Sequence, residues 1–115
     1  MSCVLRLTSP MLSDQLASVS LKPYRVEKDC AHFSVSQCEF DDFPGQLSDA
    51  DVFLSANAAD LTLLMGSSEA AGVLDFAVEF RDEGFQFRTF PPALVRQAGA
   101  MGLGLELSLY PEQLS

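Results

Sequence analysis

The sequence predicts an α+β fold: a two-layer sandwich in which a mostly antiparallel sheet of four to six strands carries two or three helices on one face. Two observations indicate this class. Apolar and polar residues alternate in several short segments, which is typical of strands with one buried face. Elsewhere apolar residues recur at helical spacing. A ferredoxin-like arrangement is the nearest named topology, and the chain is expected to form one globular domain, residues 1–115.

The N-terminal third predicts a strand, a helix and two further strands. Residues 2–8 alternate between apolar and polar side chains, as a half-buried strand does. Ser9 is followed directly by a proline, so it is predicted to be the N-cap of a short helix that ends near Ser20. Extended runs are predicted next, at 24–27 and 31–40.

A longer helix is predicted in the middle of the chain. Residues 41–45 combine acids, proline and glycine, which favours a turn. Ser48 then provides a hydroxyl cap for a helix that reaches about Met65. Asn57 and the Val-Phe-Leu run at 52–54 leave a break or a short strand as alternatives. The segment 66–72 is rich in small residues and is predicted to be a loop.

A β-hairpin is predicted after that loop. Residues 73–81 alternate strictly, so they are expected to form its first strand. Residues 82–84 end in glycine, which suits a tight turn. Phe85 and Phe87 then restart the alternation and predict the returning strand.

The C-terminal segment predicts a helix followed by a strand. The two prolines at 91–92 suit the start of a helix, and Gly102 suits its end. Leucines then occupy every second position in 103–109, which predicts a final strand that stops at Pro111.

Two segments carry a resemblance to a known family. Leu94, Ala98 and Gly102 of the closing helix lead into an alternating strand that finishes at Tyr110, and the opening strand and helix end in a Leu-x-Pro turn at 21–23. These segments resemble an uncharacterised family of small bacterial proteins known only as a domain of unknown function. The resemblance implies a bacterial source and an α+β fold, and it brings no catalytic residues with it. The chain lacks the central tryptophan common in that family.

The composition restricts the classes of partner. Sixteen Asp+Glu residues against seven Lys+Arg residues give a net charge of −9, which repels nucleic acid and anionic membranes. The start of the chain lacks the pattern of a signal peptide, and no run of roughly 18 apolar residues is present. We therefore expect a cytoplasmic protein that binds neither nucleic acid nor a membrane.

Cysteine and histidine provide the most reactive side chains. Cys3, Cys30 and Cys38 form an odd set without a close repeated spacing, so reduced thiols are expected. Cys30, His32 and Cys38 have the chemistry of zinc ligands, and Cys30 with His32 has that of a nucleophile and its base. A strand with buried cysteines and a surface histidine accounts for the same pattern. No catalytic residue, metal ligand or cofactor is therefore predicted.

The densest group of acids is Asp41, Asp42, Asp49 and Asp51. Their spacing does not fit a calcium-binding loop. A solvated turn with a favourable helix N-terminus explains most of the group. The alternative is an acidic surface that docks a basic partner.

The expected function is that of a non-enzymatic protein-binding module, such as an immunity-type inhibitor of a basic partner, acting as a monomer or homodimer. Electrostatic complementarity would speed its encounter with that partner. One alternative is a homodimeric secretion-type chaperone, which needs an exposed apolar surface. Another is a small enzyme that uses His32 with Cys30 or Cys38, and a third is a homo-oligomer paired through an edge strand.

Overall fold

The computed structural model describes residues 1–80 and 84–111, and these residues form a five-stranded mixed sheet with four helices. The strands are β1 (Cys3–Thr8), β2 (Arg25–Glu27), β3 (Cys30–Ser36), β4 (Ala71–Phe80) and β5 (Leu103–Pro111). The helices are α1 (Leu12–Leu16), α2 (Phe43–Ala56), α3 (Ala58–Leu64) and α4 (Pro92–Ala100). None of the helices in these two ranges is long and apolar enough to cross a membrane. The predicted α+β sandwich is confirmed.

The strand order is β2-β3-β1-β4-β5. β1 pairs with β3 and β4, and β2 pairs with β3, in antiparallel ladders. β4 and β5 pair in parallel and are connected through α4, as a direct βαβ unit. The first four strands adopt the ferredoxin-like topology suggested by the sequence, because β3 lies between β1 and β2, and β1 lies between β3 and β4. The unit formed by α4 and β5 is added to this arrangement at the free edge of β4.

The helices cover one face of the sheet, and β1 lies at the centre of that face. Leu5 and Leu7 are fully buried, and Leu5 is the register partner of both Phe33 in β3 and Leu74 in β4. This one layer of side chains joins three strands under the helices, where burial contributes about 1.5–3 kcal/mol for each large apolar side chain. The hydrophobic core around this layer includes buried residues from all four helices: Leu12, Ala50, Leu54, Leu61, Leu64, Leu94 and Ala98.

The long central helix begins earlier than the sequence predicted. α2 starts at Phe43 instead of Ser48, because the Asp42 carboxylate accepts a hydrogen bond from the Gly45 amide at 3.0 Å and caps the helix. The predicted break at Asn57 is confirmed, since Asn57 separates α2 from α3 and its side-chain amide donates to the Phe53 carbonyl at 2.9 Å. This break explains why the described residues form four helices and not two or three.

The first helix is shorter than predicted, and Ser9 is not its N-cap. Ser9 closes a turn before the helix, with its hydroxyl accepting from the Met11 amide at 3.3 Å, and α1 then spans only five residues. The extended run predicted at 31–40 also ends early, at Ser36. Both extended runs predicted around Lys28 form strands, β2 and β3, which pair with each other, and Lys28 between them has a φ of 53°.

The predicted β-hairpin does not form. The strand predicted at 73–81 is confirmed as far as Phe80, but the described residues 84–90 are not a strand. At its last residues, β4 has β5 on one edge and backbone partners from Ser2 and Phe40 on the other. No edge is therefore left for the predicted returning strand. Of the predicted turn at 82–84, only Gly84 lies within the described residues, and its φ is +70°.

The predicted C-terminal helix and strand are confirmed. α4 starts at Pro92, and Gly102 follows it with a φ of +77°, a conformation that favours glycine. β5 then runs beside β4 without interruption from Leu103 to Pro111.

β4 and β5 extend beyond the rest of the sheet. β1 pairs with β4 only as far as Phe76, whereas the β4–β5 ladder continues to Phe80 and Pro111. We call residues 77–80 of β4 with residues 108–111 of β5 the overhang. Its side towards β1 is satisfied by other partners: the Ala77 amide donates to the Ser2 carbonyl at 2.8 Å.

On the face opposite the helices, Arg6 joins three strands. Its guanidinium donates to the Asp75 carboxylate in β4 and to the Glu106 carboxylate in β5, both at 2.7 Å. Asp75 and Glu106 are register partners, so this cation lies between two acids that would otherwise repel each other.

We expect Arg6→Met to lower the free energy of unfolding by roughly 1–2 kcal/mol, because it leaves two adjacent carboxylates without their cation. Urea denaturation at neutral pH measures the change, which should shrink at high salt as the repulsion is screened. Arg25→Met is the control, since Arg25 forms an exposed pair with Glu27 on the short strand β2. Equal losses in the two variants would contradict the role given to Arg6.

Candidate functional site

A cleft of about 400 Å³ lies at the overhang. We call it the acidic cleft. It is formed by the turn before α2 together with the last residues of β4 and β5. Its lining residues are Glu39, Phe40, Asp41, Glu79, Tyr110 and Pro111.

The turn before α2 supplies half of the lining. The Asp42 amide donates to the Glu39 carbonyl at 3.0 Å, which closes a turn over residues 39–42 directly before the helix. The Glu79 amide donates to the Phe40 carbonyl at 3.4 Å. The turn therefore takes the place beside β4 that β1 no longer fills.

Gln46 fastens this turn from inside the protein. Its side chain is fully buried, and Nε2 donates to the Ala77 carbonyl at 2.8 Å and to the Glu39 carbonyl at 3.4 Å. One amide therefore links α2, the overhang and the first residue of the cleft. Within the described residues, Gln46 Oε1 has no hydrogen-bond partner.

Two aromatic rings stand on the lining. The centroids of Phe40 and Tyr110 are 5.1 Å apart, with the ring planes at 46°. This spacing is within the range of favourable aromatic pairs. Tyr110 is 46% exposed, so part of its surface remains free for a ligand.

The charge of the cleft is negative and is not compensated by neighbouring side chains. Glu39 and Asp41 are exposed and Glu79 is half-buried. Among residues 1–80 and 84–111, the ion pairs involve Arg6 and Arg25 and none of these three acids. Arg88 donates to the backbone carbonyl of Glu79 at 3.4 Å and so satisfies the backbone of β4 without pairing the carboxylate.

This combination suits a cationic side chain. Carboxylates form charge-assisted hydrogen bonds with guanidinium and ammonium groups, and aromatic faces attract the same cations. A cleft of this size with carboxylates and two rings can hold the end of an arginine or lysine side chain.

The four aspartates predicted as an acidic surface take different places. Asp41 lines the acidic cleft, and Asp42 caps α2. Asp49 is half-buried and accepts from the Ser36 hydroxyl at 2.7 Å. Asp51 is exposed on a separate groove between α2 and α4. The structure therefore brings only part of the predicted surface to the cleft.

The cysteines and the histidine are distributed over two sides of the molecule. Cys30 Sγ and His32 Nε2 are 3.7 Å apart on the open face of the sheet, as their spacing predicted. The thiol of Cys38 instead donates to Asp49 of α2 at 3.4 Å, and Cys3 is fully buried in the core. Within the described residues, no three His, Cys, Asp or Glu side chains are grouped as metal ligands.

The surroundings of two thiols change their pKa values. Burial raises the pKa of the Cys3 thiol far above its ordinary value, with smaller contributions from Asp75 and Asp49. The hydrogen bond with the Ser36 hydroxyl lowers the pKa of Cys38, but desolvation and the Asp49 carboxylate outweigh it, so the pKa of Cys38 is raised. Both thiols are therefore protonated at neutral pH.

Sequence reasoning did not identify Glu39, Phe40, Glu79 or Tyr110 as a group. Each occupies a position expected in or beside a strand, and only the parallel register of β4 and β5 makes Glu79 and Tyr110 neighbours. The available signal was the length of the final strand, which ends in an aromatic residue.

Comparison of the chain with protein-family models, curated proteins and solved structures finds no match to any of them. The resemblance of the two terminal segments to the uncharacterised bacterial family therefore stays a prediction.

We expect Gln46→Met to lower the free energy of unfolding by about 1–3 kcal/mol, because it keeps the side-chain volume but removes the amide that donates to the carbonyls of Ala77 and Glu39. Thermal or urea denaturation measures this loss. Gln37→Met is the control, since the Gln37 side chain is exposed and donates only to the Ser34 hydroxyl. A loss no greater than that of the control would show that Gln46 does not fasten the turn.

We expect Asp49→Asn to shift the alkylation of Cys38 to lower pH. A raised thiol pKa keeps the unreactive protonated form to higher pH, and removing the carboxylate takes away two of its causes. Residue-specific iodoacetamide labelling, followed by mass spectrometry across a pH series, measures the shift. Asp51→Asn is the control with the same charge change on the exposed part of α2. An identical pH profile for both variants would contradict the assignment.

Proposed function

We propose that this protein is a non-enzymatic binding module for a basic protein, of the immunity-type inhibitor class, and that the acidic cleft receives an arginine or lysine side chain of that partner. The observation that carries the proposal is the uncompensated set of three carboxylates around two aromatic rings. A cation that enters this cleft gains charge-assisted hydrogen bonds and contact with a ring face together.

The rest of the chain supports the same kind of partner. The net charge of −9 gives the molecule a negative field that attracts basic proteins and raises their association rate. This field alone does not select a binding site. The cleft adds a specific place where one basic side chain is recognised.

Substitution of the three cleft acids tests the proposal. The cleft variant carries Glu39→Gln, Asp41→Asn and Glu79→Gln, and the matched control carries Asp14→Asn, Asp29→Asn and Glu69→Gln at exposed positions away from the cleft. Each set changes the net charge equally, from −9 to −6 by the loss of three acids. The two variants therefore differ in position and not in total charge.

We expect the cleft variant to bind a fluorescein-labelled oligo-arginine peptide about tenfold more weakly than the unmodified protein, a loss of about 1.4 kcal/mol. The control should lose less than about threefold, because distant surface charges are screened at physiological salt. Fluorescence anisotropy measures both affinities. Equal losses in the two variants would show that only the overall charge matters and would remove the cleft from the proposal.

The partner itself is identified by a pull-down from cell lysate with the unmodified protein and the cleft variant as bait. A folded basic protein retained at low salt by the former and lost with the latter supports the inhibitor class. Retention by both baits to the same extent would contradict it.

A secretion-type chaperone is the second candidate, and one observation favours it. Phe85 and Phe87 are 103% and 82% exposed, so they offer apolar surface to an unfolded client. Such binding strengthens with salt, whereas binding in the acidic cleft weakens with salt. The salt dependence of the captured protein therefore separates the two functions.

A further inference from the structure

The two edges of the sheet differ in their protection against pairing. β2 has only three residues, and its exposed Arg25 and Glu27 are followed by Lys28 in the left-handed region. Short, charged and irregular edges resist the addition of another strand. β5 has nine residues, pairs with β4 without a bulge, and contains Glu106 as its single charged residue. Arg6 forms an ion pair with that acid.

The direction of the backbone groups of β5 follows from the ladders. The amides of Ala77 and Glu79 point from β4 towards the β1 side. The even-numbered residues of β4 therefore form the hydrogen bonds to β5. In a parallel ladder, each of these residues bonds to the two residues that flank its register partner. The register partners of those β4 residues are four leucines and one proline. The outward-pointing backbone groups therefore belong to Leu103, Leu105, Leu107, Leu109 and Pro111, and the proline contributes only its carbonyl.

No strand in the described part of the chain pairs with this edge. β5 is the terminal strand of the sheet, and within residues 1–80 and 84–111 its backbone forms no hydrogen bond outside the β4–β5 ladder. On the helix-facing side, Leu109 is 60% exposed. The edge is thus long, regular, apolar and unpaired, a combination that natural sheets otherwise avoid.

We propose that β5 pairs with β5 of a second copy of this chain, in an antiparallel ladder centred on Leu107. Leu107 is the midpoint of the strand, so this register overlaps all nine residues. It places Leu107 opposite itself and Leu105 opposite Leu109. Both are pairs of outward-pointing residues, which is the arrangement that an antiparallel ladder needs for its hydrogen-bonded pairs.

Charge selects the same register. With Leu107 at the centre, Glu106 lies opposite Ser108 of the other copy. A ladder centred on Glu106 would place the two Glu106 carboxylates opposite each other, which is unfavourable. The register that pairs all nine residues is therefore also the one in which the two copies of β5 are complementary. In it, the exposed Leu109 gains an apolar neighbour in Leu105 of the other copy. This self-complementarity identifies a second copy as the occupant of the edge.

The mass of the protein in solution tests the pairing. Sedimentation equilibrium of the unmodified chain is expected to give twice the chain mass of 12.5 kDa. Leu109→Pro removes an outward amide while sparing the ladder with β4, so it should weaken dimerisation at least tenfold. Leu109→Ala keeps that amide and should weaken it less. Circular dichroism confirms that each variant is folded.

The register is tested by cross-linking. Leu107→Cys brings two thiols together across the symmetry axis, where paired Cα atoms about 5.5 Å apart suit a disulfide. Leu105→Cys is the control on the same face, since it faces Leu109 and not itself. Under mild oxidation we expect a covalent dimer through residue 107 and none through residue 105, as mapped by peptide mass analysis.

Several results would overturn the proposal. These are a monomeric mass for the unmodified chain at high micromolar concentration, equal dimerisation by the proline variant, capture of a foreign strand in place of a second copy, or cross-linking through residue 105 alone. The test is independent of the acidic cleft. Dimerisation of two chains of charge −9 strengthens with salt, whereas cation binding in the cleft weakens with it.

Discussion

The backbone polar groups of β4 constrain the rest of the structure. This strand has a neighbour on each edge, and its buried amides and carbonyls must all be satisfied. β1 does so as far as Phe76, and beyond that point the chain supplies Ser2, Phe40 and the side chain of Gln46. The turn before α2 therefore lies beside β4 because it supplies hydrogen-bond partners that this strand would otherwise lack. The acidic cleft forms as a result of that placement.

The same overhang explains the distribution of charge and apolar surface. On the inner side, carboxylates from the turn and from β4 line one cleft and form no ion pair within residues 1–80 and 84–111, while Arg6 pairs with the acids further along the sheet. On the outer side, β5 presents a regular leucine-rich edge. In the proposed dimer the two copies of β5 run in opposite directions, so their two acidic clefts lie at opposite ends of the paired strands. A basic partner would then be offered two separate sites.

The sequence predicted the features of this fold that depend on local pattern. Alternation identified β1, β4 and β5, and a glycine with positive φ marked the end of α4. The predicted hairpin failed because alternation at Phe85 and Phe87 carries no information on whether an edge of β4 is free. The predicted start of α2 was wrong because Asp42 and Ser48 are both good N-cap residues, and the choice between them depends on packing against the sheet.

The site was less accessible from the sequence than the fold. Asp41 was predicted as part of an acidic surface, but its neighbours in the cleft come from residues about forty and seventy positions away. Their meeting depends on the strand order and on the parallel register of β4 and β5, which no local pattern encodes. Asp49 shows the converse, since an acid that seemed available in the sequence is engaged with Ser36 and Cys38.

The most direct measurement of this account is a search for nuclear Overhauser effects between the ring protons of Phe40 and Tyr110. If the overhang holds the turn before α2 against the end of β5, the 5.1 Å centroid separation gives clear cross-peaks between the two rings. Tyr24 serves as the internal reference, because its ring lies 6.0 Å from His32 and not beside Phe40. Absence of the Phe40–Tyr110 cross-peaks, with those of Tyr24 and His32 present, would contradict the existence of the acidic cleft.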